Sequence, residues 1–201
     1  MGYPPCLSQG HFLFAARATR ARDGAHRERG RSVFFGDGRT GRVELEHLFN
    51  GSALNAVDAK GRLSVPAFVR SVIERRSDAK IIILGTHEVD SSLTGYDRIY
   101  ARILYHENER RRLAEEGADP KAHFSRARRT FGVTEEAPYD TSGRIILPPM
   151  MRRRGGIEEL ALFVGVGGTF EIWNPRRALE SGAAELRELA EYRLEEKGIT
   201  L

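Results

Sequence analysis

Two stretches of the chain place apolar residues at every second position, which is the period of a β-strand with one buried face. Leu63 and Val65 provide the apolar positions in the first stretch, and Ile145 and Leu147 provide them in the second. Each stretch directly follows four residues of the form Asp-x-x-Gly and an arginine, and this spacing is a turn signal. The pattern therefore predicts two β-hairpins, one in each half of the chain.

The two hairpins belong to a longer internal repeat. Residues 55–66 align without a gap with residues 137–148, at an offset of 82 positions. Such a long offset excludes a solenoid and indicates a duplicated module. The identical pairs are Asp58 and Asp140, Gly61 and Gly143, Arg62 and Arg144, Pro66 and Pro148, and Arg70 and Arg152.

The residue types in the repeated motif fit a tight turn. An aspartate at a turn start accepts hydrogen bonds from backbone N–H groups two or three residues on. Glycine supplies a positive φ without a Cβ clash. An arginine directly after the turn lies within reach of the carboxylate, so that a charge-assisted bond can hold the loop. Asp58, Gly61, Asp140 and Gly143 are therefore predicted to be structural.

Each copy continues in the same way after the hairpin. The proline suits the first turn of a short helix, and Gly155-Gly156 is a plausible C-terminal stop in the second copy. Strand-like apolar runs follow. These elements are predicted at residues 67–75, 80–84, 149–154, 160–165 and 169–173.

A module of about 40 residues buries too little apolar surface to fold alone. The obvious partner is the other copy, so we predict an α+β fold in which two β modules form an intrachain pseudo-dimer, with a helical spacer and a C-terminal helix. The helix is expected to open at Asn174-Pro175 and to bury an apolar stripe. The predicted division is an extension (1–46), domain 1 (51–98), spacer (99–131), domain 2 (132–175) and C-terminal helix (176–201).

The net charge of +4 is unevenly distributed. Residues 1–46 contain eight arginines and five acidic residues, which leaves 24 basic and 23 acidic residues in the remainder. A DNA-binding body would therefore have to use local clusters of arginine. The first 46 residues are interpreted as a disordered tail or as an extension upstream of the true start, with a basic DNA-binding arm as a third reading.

One cysteine, Cys6, excludes an intrachain disulfide and a cysteine-based zinc site. The apolar runs are no longer than a strand, so no membrane span is expected. Gly165-Val166-Gly167-Gly168 lacks the lysine and serine or threonine of a phosphate-binding loop and fits a β-turn instead. The histidines have no ligand spacing. We expect no enzyme, no metal, no cofactor and no small-molecule substrate, in a cytoplasmic protein.

The repeated Asp-x-x-Gly-Arg motif, the proline four residues later and the segment Phe170-Glu171-Ile172-Trp173-Asn174 closely resemble the MraZ family. The resemblance begins near Phe49 and extends through the C-terminal helix, although residues 86–96 lack the Glu-Ile-Trp pattern. It implies tandem SpoVT/AbrB-type swapped-hairpin domains and a nucleoid-associated transcriptional regulator. Such a protein would bind promoter DNA of the division and cell-wall gene cluster, its own promoter included, usually as a repressor, and would form ring-like homo-oligomers.

Basic side chains at and after the turns are the DNA-binding candidates. Arg62 and Arg144 have a second interpretation, as structural partners of their aspartates, and the helix arginines have one as a solvated face. Arg75, Arg76 and Arg154 are weaker candidates. The predicted DNA-binding residues are Lys60, Arg62, Arg70, Arg144, Arg152 and Arg153.

Two other functions remain open. AbrB-type hairpins also occur in antitoxins and other protein-interaction modules, but the duplication and the lack of a long toxin-wrapping tail argue against this. RNA binding is a further alternative, although the usual aromatic stacking motifs are missing.

Overall fold

The computed structural model describes residues 47–87, 89–115, 120–181 and 183–201, so the predictions for residues 1–46 lie outside the described residues. The described strands are β1 (Ser52–Ala56), β2 (Arg62–Ser64), β3 (Ile81–Thr86), β4 (Leu93–Tyr96), β5 (Thr134–Pro138), β6 (Arg144–Ile146), β7 (Leu160–Gly165) and β8 (Phe170–Trp173). The helices are α1 (Ala67–Arg76), α2 (Arg98–Ala114), α3 (Pro120–Ala127), α4 (Pro149–Gly155), α5 (Pro175–Leu179) and α6 (Ala184–Glu196). A π-helical turn, Arg128–Gly132, continues α3.

The architecture is α+β with antiparallel strands, as predicted. Six strands form one sheet in the order β1-β7-β8-β4-β3-β5. Its outer pairs join different halves of the chain: β1 lies beside β7, with Ser52 opposite Val164, and β5 lies beside β3, with Ile81 opposite Pro138. Each copy thus supplies hydrogen-bonding partners to a strand of the other copy, which satisfies backbone groups that a lone hairpin would leave exposed.

The remaining strands, β2 and β6, form a two-stranded antiparallel sheet of their own, which we call the ribbon. It too joins the two copies, because Leu63 lies opposite Ile145 at its centre. Backbone bonds extend the pairing into the turns: Val65 N donates to Gly143 O at 2.8 Å, and Leu147 N donates to Gly61 O at 2.8 Å. The ribbon is therefore a joint product of the two motifs.

The main core lies between the sheet, the ribbon, α1 and α4. All four apolar positions predicted from the alternation are buried, with exposed fractions of 3% or less: Leu63, Val65, Ile145 and Leu147. They pack in one cluster with side chains of both helices and of β7. The two copies consequently share one hydrophobic core, which is the physical outcome expected for modules too small to have their own.

A second apolar cluster lies on α5 and α6. Leu162 and Trp173 pack there with Ala178, Leu186 and Leu194. The expected apolar stripe is thus present, but it is carried by two helices rather than by a single helix from Asn174. The helix is interrupted between α5 and α6, and Ala178 and Leu186 pack in the same cluster.

The last strand of the first copy forms despite its lack of the Glu-Ile-Trp pattern. It is β4, and it pairs with β8, with Leu93 opposite Ile172. Both strands lead into a capped helix: Asp97 accepts a hydrogen bond from Tyr100 N at 2.8 Å, and Asn174 accepts one from Arg176 N at 2.9 Å. Capping residues at these positions satisfy backbone donors at the first turns of α2 and α5.

Arg76 is the clearest departure from expectation, because this weak DNA-binding candidate is buried. Its side chain is 3% exposed and pairs with Asp97 at 3.0 Å. The guanidinium also donates to the carbonyls of His47 and Gly168 and lies 4.6 Å from the centroid of the Phe49 ring. Arg76 therefore links the end of α1 to the start of α2 and to the β7–β8 turn, and the interpretation as a DNA contact is wrong.

Replacing Arg76 with alanine should lower the free energy of unfolding by about 3–5 kcal/mol, because Asp97 would remain buried without its counter-charge. The matched control is Arg75→Ala, since Arg75 is the exposed neighbour on the same helix and should cost about 0.5 kcal/mol or less. Urea unfolding at one fixed protein concentration measures both. Equal losses in the two variants would contradict the structural role of Arg76.

Candidate nucleic-acid interface

The first turn has the geometry that its sequence predicts. Asp58 Oδ1 accepts hydrogen bonds from the backbone N–H groups of Lys60 and Arg62, at 2.9 and 2.8 Å. Its other oxygen accepts one from Arg62 Nε at 2.6 Å. Gly61 has a φ of 77°, in the left-handed region that favours glycine. The turn therefore holds the arginine by its backbone and by its side chain.

The second turn repeats this arrangement. Asp140 Oδ1 accepts from the backbone N–H groups of Ser142 and Arg144, at 2.9 and 3.0 Å. Asp140 Oδ2 accepts from both Nε and Nη2 of Arg144, at 3.1 and 3.0 Å. Gly143 has a φ of 73°. The predicted Asp–Arg contact is thus present in both copies, with a more extensive side-chain contact in the second.

The hydrogen bonds stabilise the charged form of both carboxylates. The backbone N–H of Arg62, followed by its guanidinium, lowers the pKa of Asp58 below its ordinary value of 3.8. The backbone N–H of Arg144 likewise lowers the pKa of Asp140. Both aspartates therefore stay ionised in the folded protein to a lower pH than in the unfolded chain, and both turns are coupled to pH in the acid range.

The ribbon presents four outward side chains. Leu63 and Ile145 face the core, so their strand neighbours Arg62, Ser64, Arg144 and Ile146 face outward and are exposed. Arg62 lies opposite Ile146, and Ser64 lies opposite Arg144. The two arginines are therefore diagonal neighbours, a relation that separates Cα atoms by roughly 7–8 Å.

The aspartates leave the tips of both arginines available. Asp58 bonds only Nε of Arg62, so within the described part of the chain both terminal nitrogens of Arg62 lack a protein partner. Nη1 of Arg144 likewise has no protein partner among the described residues. Arg62 and Arg144 line one cleft of about 210 Å³ with Asp58 and Ser64. Each arginine is held at its base and can still donate from its end.

The helix arginines Arg70 and Arg152 reach across to the turn of the other copy. Arg70 Nε donates to Val65 O at 3.2 Å, and a Cβ added to Gly143 would lie 2.6 Å from Arg70 Cδ. Arg152 donates to the carbonyls of Ile157 and Glu158, at 3.0 and 2.9 Å. Both side chains are partly buried. They therefore have structural contacts as well as exposed surface.

The other predicted basic residues differ in position. Lys60 is exposed at the tip of the first turn, and Arg153 and Arg154 are exposed on α4. The structure thus brings together both turns, the ribbon and the start of each short helix on one side of the core. Arg75, near the end of α1, is exposed but two helical turns away from the ribbon end of the helix.

Sequence reasoning missed the ribbon pairing and with it Ser64 and Ile146. No feature of either copy alone shows that β2 pairs with β6. A signal for Ile146 was nevertheless present, because strand alternation places position 146 outward and yet the residue there is apolar. Its exposed fraction is 64%. Ile146 is thus an apolar side chain on an outward face whose other members are Arg62, Ser64 and Arg144.

Other site types find no support in the described residues. Among these residues there is no helix that is both long and apolar enough to cross a membrane. Groups of three or more histidine, cysteine, aspartate or glutamate residues suited to a metal ion are also missing from the ranges that the structure describes. The predicted turn lies between the paired strands β7 and β8, and Val166 N donates to Thr169 O across it at 3.0 Å.

The fold and the ribbon define a class of α+β proteins built from a duplicated module with arginines on a shared two-stranded sheet, and the comparisons with known proteins identify the family. A family model described as "MraZ protein, putative antitoxin-like" matches residues 130–191. The chain is 35% identical over 133 residues to the transcriptional regulator MraZ of Rhodospirillum rubrum, which covers 66% of this chain and 83% of the relative.

Two further relatives have the same name. The protein from Pelobacter propionicus is 28% identical over 136 residues, covering 65% of this chain and 84% of its own length. The protein from Rickettsia felis is 34% identical over 133 residues, covering 65% and 83%. The chain belongs to the MraZ family. It is a transcriptional regulator and not an enzyme.

The lowered pKa values predict acid sensitivity of the turns. Because the folded pKa of each aspartate lies below 3.8, the stabilisation is present above pH 3.8 and is lost as the pH falls through the lowered value. The stability difference between the wild type and Asp58→Asn/Asp140→Asn should therefore shrink in acid. Urea unfolding at neutral pH and below pH 3.8 measures it. The exposed Asp78→Asn is the control, and a pH-independent difference would contradict the coupling.

Alanine substitutions at the two turn glycines should differ in cost. Both positions have positive φ, so each substitution should destabilise by about 1–2 kcal/mol. At Gly143 the new Cβ would displace Arg70, whereas at Gly61 the nearest atom is Leu147 O at 3.5 Å. Gly143→Ala should therefore lower the free energy of unfolding by a further amount of about 0.5–1.5 kcal/mol, which is the contribution of one hydrogen bond.

Chemical denaturation measures this difference, and the Arg70→Ala background provides its control. In that background the two glycine substitutions should cost the same, because the displaced side chain is no longer there. A difference that persists without Arg70 would contradict the explanation.

Proposed function

We propose that the chain is a sequence-specific DNA-binding regulator and that the ribbon is its reading element. The observation that carries this proposal is the pair Arg62 and Arg144, held by aspartates and exposed as diagonal neighbours on one two-stranded sheet. A two-stranded antiparallel ribbon has dimensions that fit the major groove of B-DNA. Arginine ends that project from it match the O6 and N7 acceptors of guanine.

The contacts with the aspartates favour a role for the terminal nitrogens of the arginines. The pairs Asp58–Arg62 and Asp140–Arg144 add no net charge, so a simple electrostatic patch would be weak. A guanidinium that is already oriented loses less conformational freedom when it binds. Base edges and single phosphates at the arginine ends are therefore favoured as partners over a diffuse phosphate surface.

Flanking basic residues would hold the duplex in register. Lys60 in the turn and Arg153 on α4 are exposed and suited to phosphate contacts. Arg70 and Arg152 donate to backbone carbonyls of their own copies and lie beside the turn glycine of the other copy. In this proposal their exposed parts also contact phosphates. Both copies contribute such residues, so the interface extends over both halves of the chain.

The proposal includes the architecture implied by the family resemblance. In it the two copies, residues 51–98 and 132–175, are SpoVT/AbrB-like domains joined as a swapped-hairpin pseudo-dimer. The pairing of β1 with β7, β3 with β5 and β2 with β6 supports this description. Residues 99–131 would be the spacer and residues 176–201 the C-terminal helical segment.

Self-association would increase the affinity of a nearly neutral body. The proposed assembly is a ring-like homo-oligomer, as the family resemblance implies. The helices α2 and α3 provide apolar surface for a contact between protomers, because Tyr105, Leu113 and Phe124 are 55%, 70% and 58% exposed. Several linked ribbons raise avidity by about 10²–10⁴ where the geometry allows simultaneous binding.

The proposed target also comes from the family resemblance. It is promoter DNA of the division and cell-wall gene cluster, including the promoter of the chain's own gene, with repression as the outcome and the nucleoid as the cellular location. The "antitoxin-like" wording of the family model suggests a second function, the binding of a partner protein. The exposed arginine pair favours DNA.

The double variant Arg62→Ala/Arg144→Ala should weaken binding to the chain's upstream region by at least about thirtyfold, since each bidentate arginine contributes roughly 1–3 kcal/mol. Fluorescence anisotropy with labelled duplexes measures the dissociation constant. The charge-matched control is Arg102→Ala/Arg187→Ala, which removes two exposed arginines of α2 and α6. The affinity of the wild-type protein should also fall steeply with salt. For each phosphate contacted, the logarithm of the binding constant should fall by about 0.9 for a tenfold increase in salt concentration.

Light scattering is the companion measurement, because every variant must keep the wild-type assembly size. Undiminished binding by the Arg62/Arg144 variant would refute the ribbon as the reading element. Binding without preference for the upstream region would refute sequence-specific recognition. Stoichiometric capture of one small protein without DNA would favour the antitoxin function instead.

A further inference from the structure

The two halves of the ribbon are related by the internal repeat, but their outward faces are not equivalent. The repeat aligns Arg62 with Arg144 and Ser64 with Ile146. The arginines occupy one diagonal of the ribbon, and Ser64 and Ile146 occupy the other. A duplex read by this face would therefore meet identical groups along one diagonal and a hydroxyl and an aliphatic side chain along the other.

Ile146 is the apolar member of the ribbon's outward face. It is 64% exposed, whereas its neighbours Ile145 and Leu147 are buried and belong to the main core. It lies opposite Arg62 and two residues from Arg144 on the same strand face. Its side chain thus lies on the outward face of the ribbon, next to both of the arginines that the proposed function assigns to the major groove.

The major groove offers one apolar group to such a side chain, the C5-methyl of thymine. The other base-edge groups in that groove are hydrogen-bond donors and acceptors, which a serine hydroxyl can bond and an isoleucine cannot. The chemistry of Ile146 therefore suits a thymine, while that of Ser64 suits a polar base edge.

We propose that Ile146 is a specificity-determining residue that contacts a thymine methyl, and that the Ser64/Ile146 difference makes recognition by the pseudo-symmetric ribbon directional. This inference rests on the proposed function, because it requires the ribbon to face DNA. On the ribbon face itself the arginines are related by the repeat, so among its four outward side chains only Ser64 and Ile146 can tell the two orientations of a site apart at the base edges. Because of this difference, one orientation places the methyl group against Ile146.

Deoxyuridine substitution tests the proposal, because it removes the thymine methyl and leaves every hydrogen-bonding group in place. Hydroxyl-radical footprinting of the wild-type protein first defines the protected segment. Each thymine in that segment is then replaced singly, and the dissociation constant is measured by anisotropy. Wild-type protein should lose about fourfold in affinity at a thymine in one half of the site, the factor expected for one methyl-sized group returned to water.

Variants assign that loss to its residue. In Ile146→Ser the sensitive thymine should become insensitive, and in Ile146→Val the sensitivity should remain because an aliphatic contact is kept. The matched control is Val166→Ser, which also removes an exposed aliphatic side chain. Val166 is 46% exposed and lies in the turn between β7 and β8. It should leave the wild-type pattern unchanged.

The outcomes separate the two proposals. If the wild type binds its site with Arg62 and Arg144 essential but tolerates every deoxyuridine, this inference is overturned while the proposed function stands. A sensitive thymine that stays sensitive in Ile146→Ser also overturns it. If the wild-type protein binds no DNA, the proposed function fails and this inference fails with it.

Discussion

Backbone pairing between the two copies is the constraint on which the rest of the molecule depends. β1 finds its partner in β7, β5 in β3 and β2 in β6, so the outer hydrogen-bonding groups of one copy are satisfied by the other. The same pairing places Leu63 against Ile145 and closes a single core. Neither copy has enough apolar surface to fold independently, and separation would expose both backbone and core.

The arginines near the junction of the two copies have structural contacts, and some of them also have exposed ends. Arg62 and Arg144 are bonded to the aspartates that form their turns and still project their ends from the ribbon. Arg70 rests on the turn of the opposite copy, near Gly143. Arg76 has a structural role alone, because its side chain is buried beside Asp97. Residues of one type, close in sequence, therefore have different roles according to burial and partner.

Much of the candidate site could be predicted from local sequence. Asp58 and Asp140, with the glycine and arginine that follow each, specify their turns through bonds between residues no more than four positions apart. Alternation correctly identified the buried positions of β2 and β6. Arg76 could not be assigned in this way, because its partners Asp97 and Gly168 are 21 and 92 positions away.

The amino-acid sequence by itself determined the duplication, the turn chemistry and the inward-facing residues, because each depends on spacing along the chain. Tertiary structure decided which strand each hairpin joins, which arginines stay exposed and how Ile146 comes to lie beside two of them. Those features depend on contacts between distant segments, whose partners no local pattern specifies. The Ser64/Ile146 difference is visible in the aligned repeat, yet it acquires meaning only once β2 and β6 share one face.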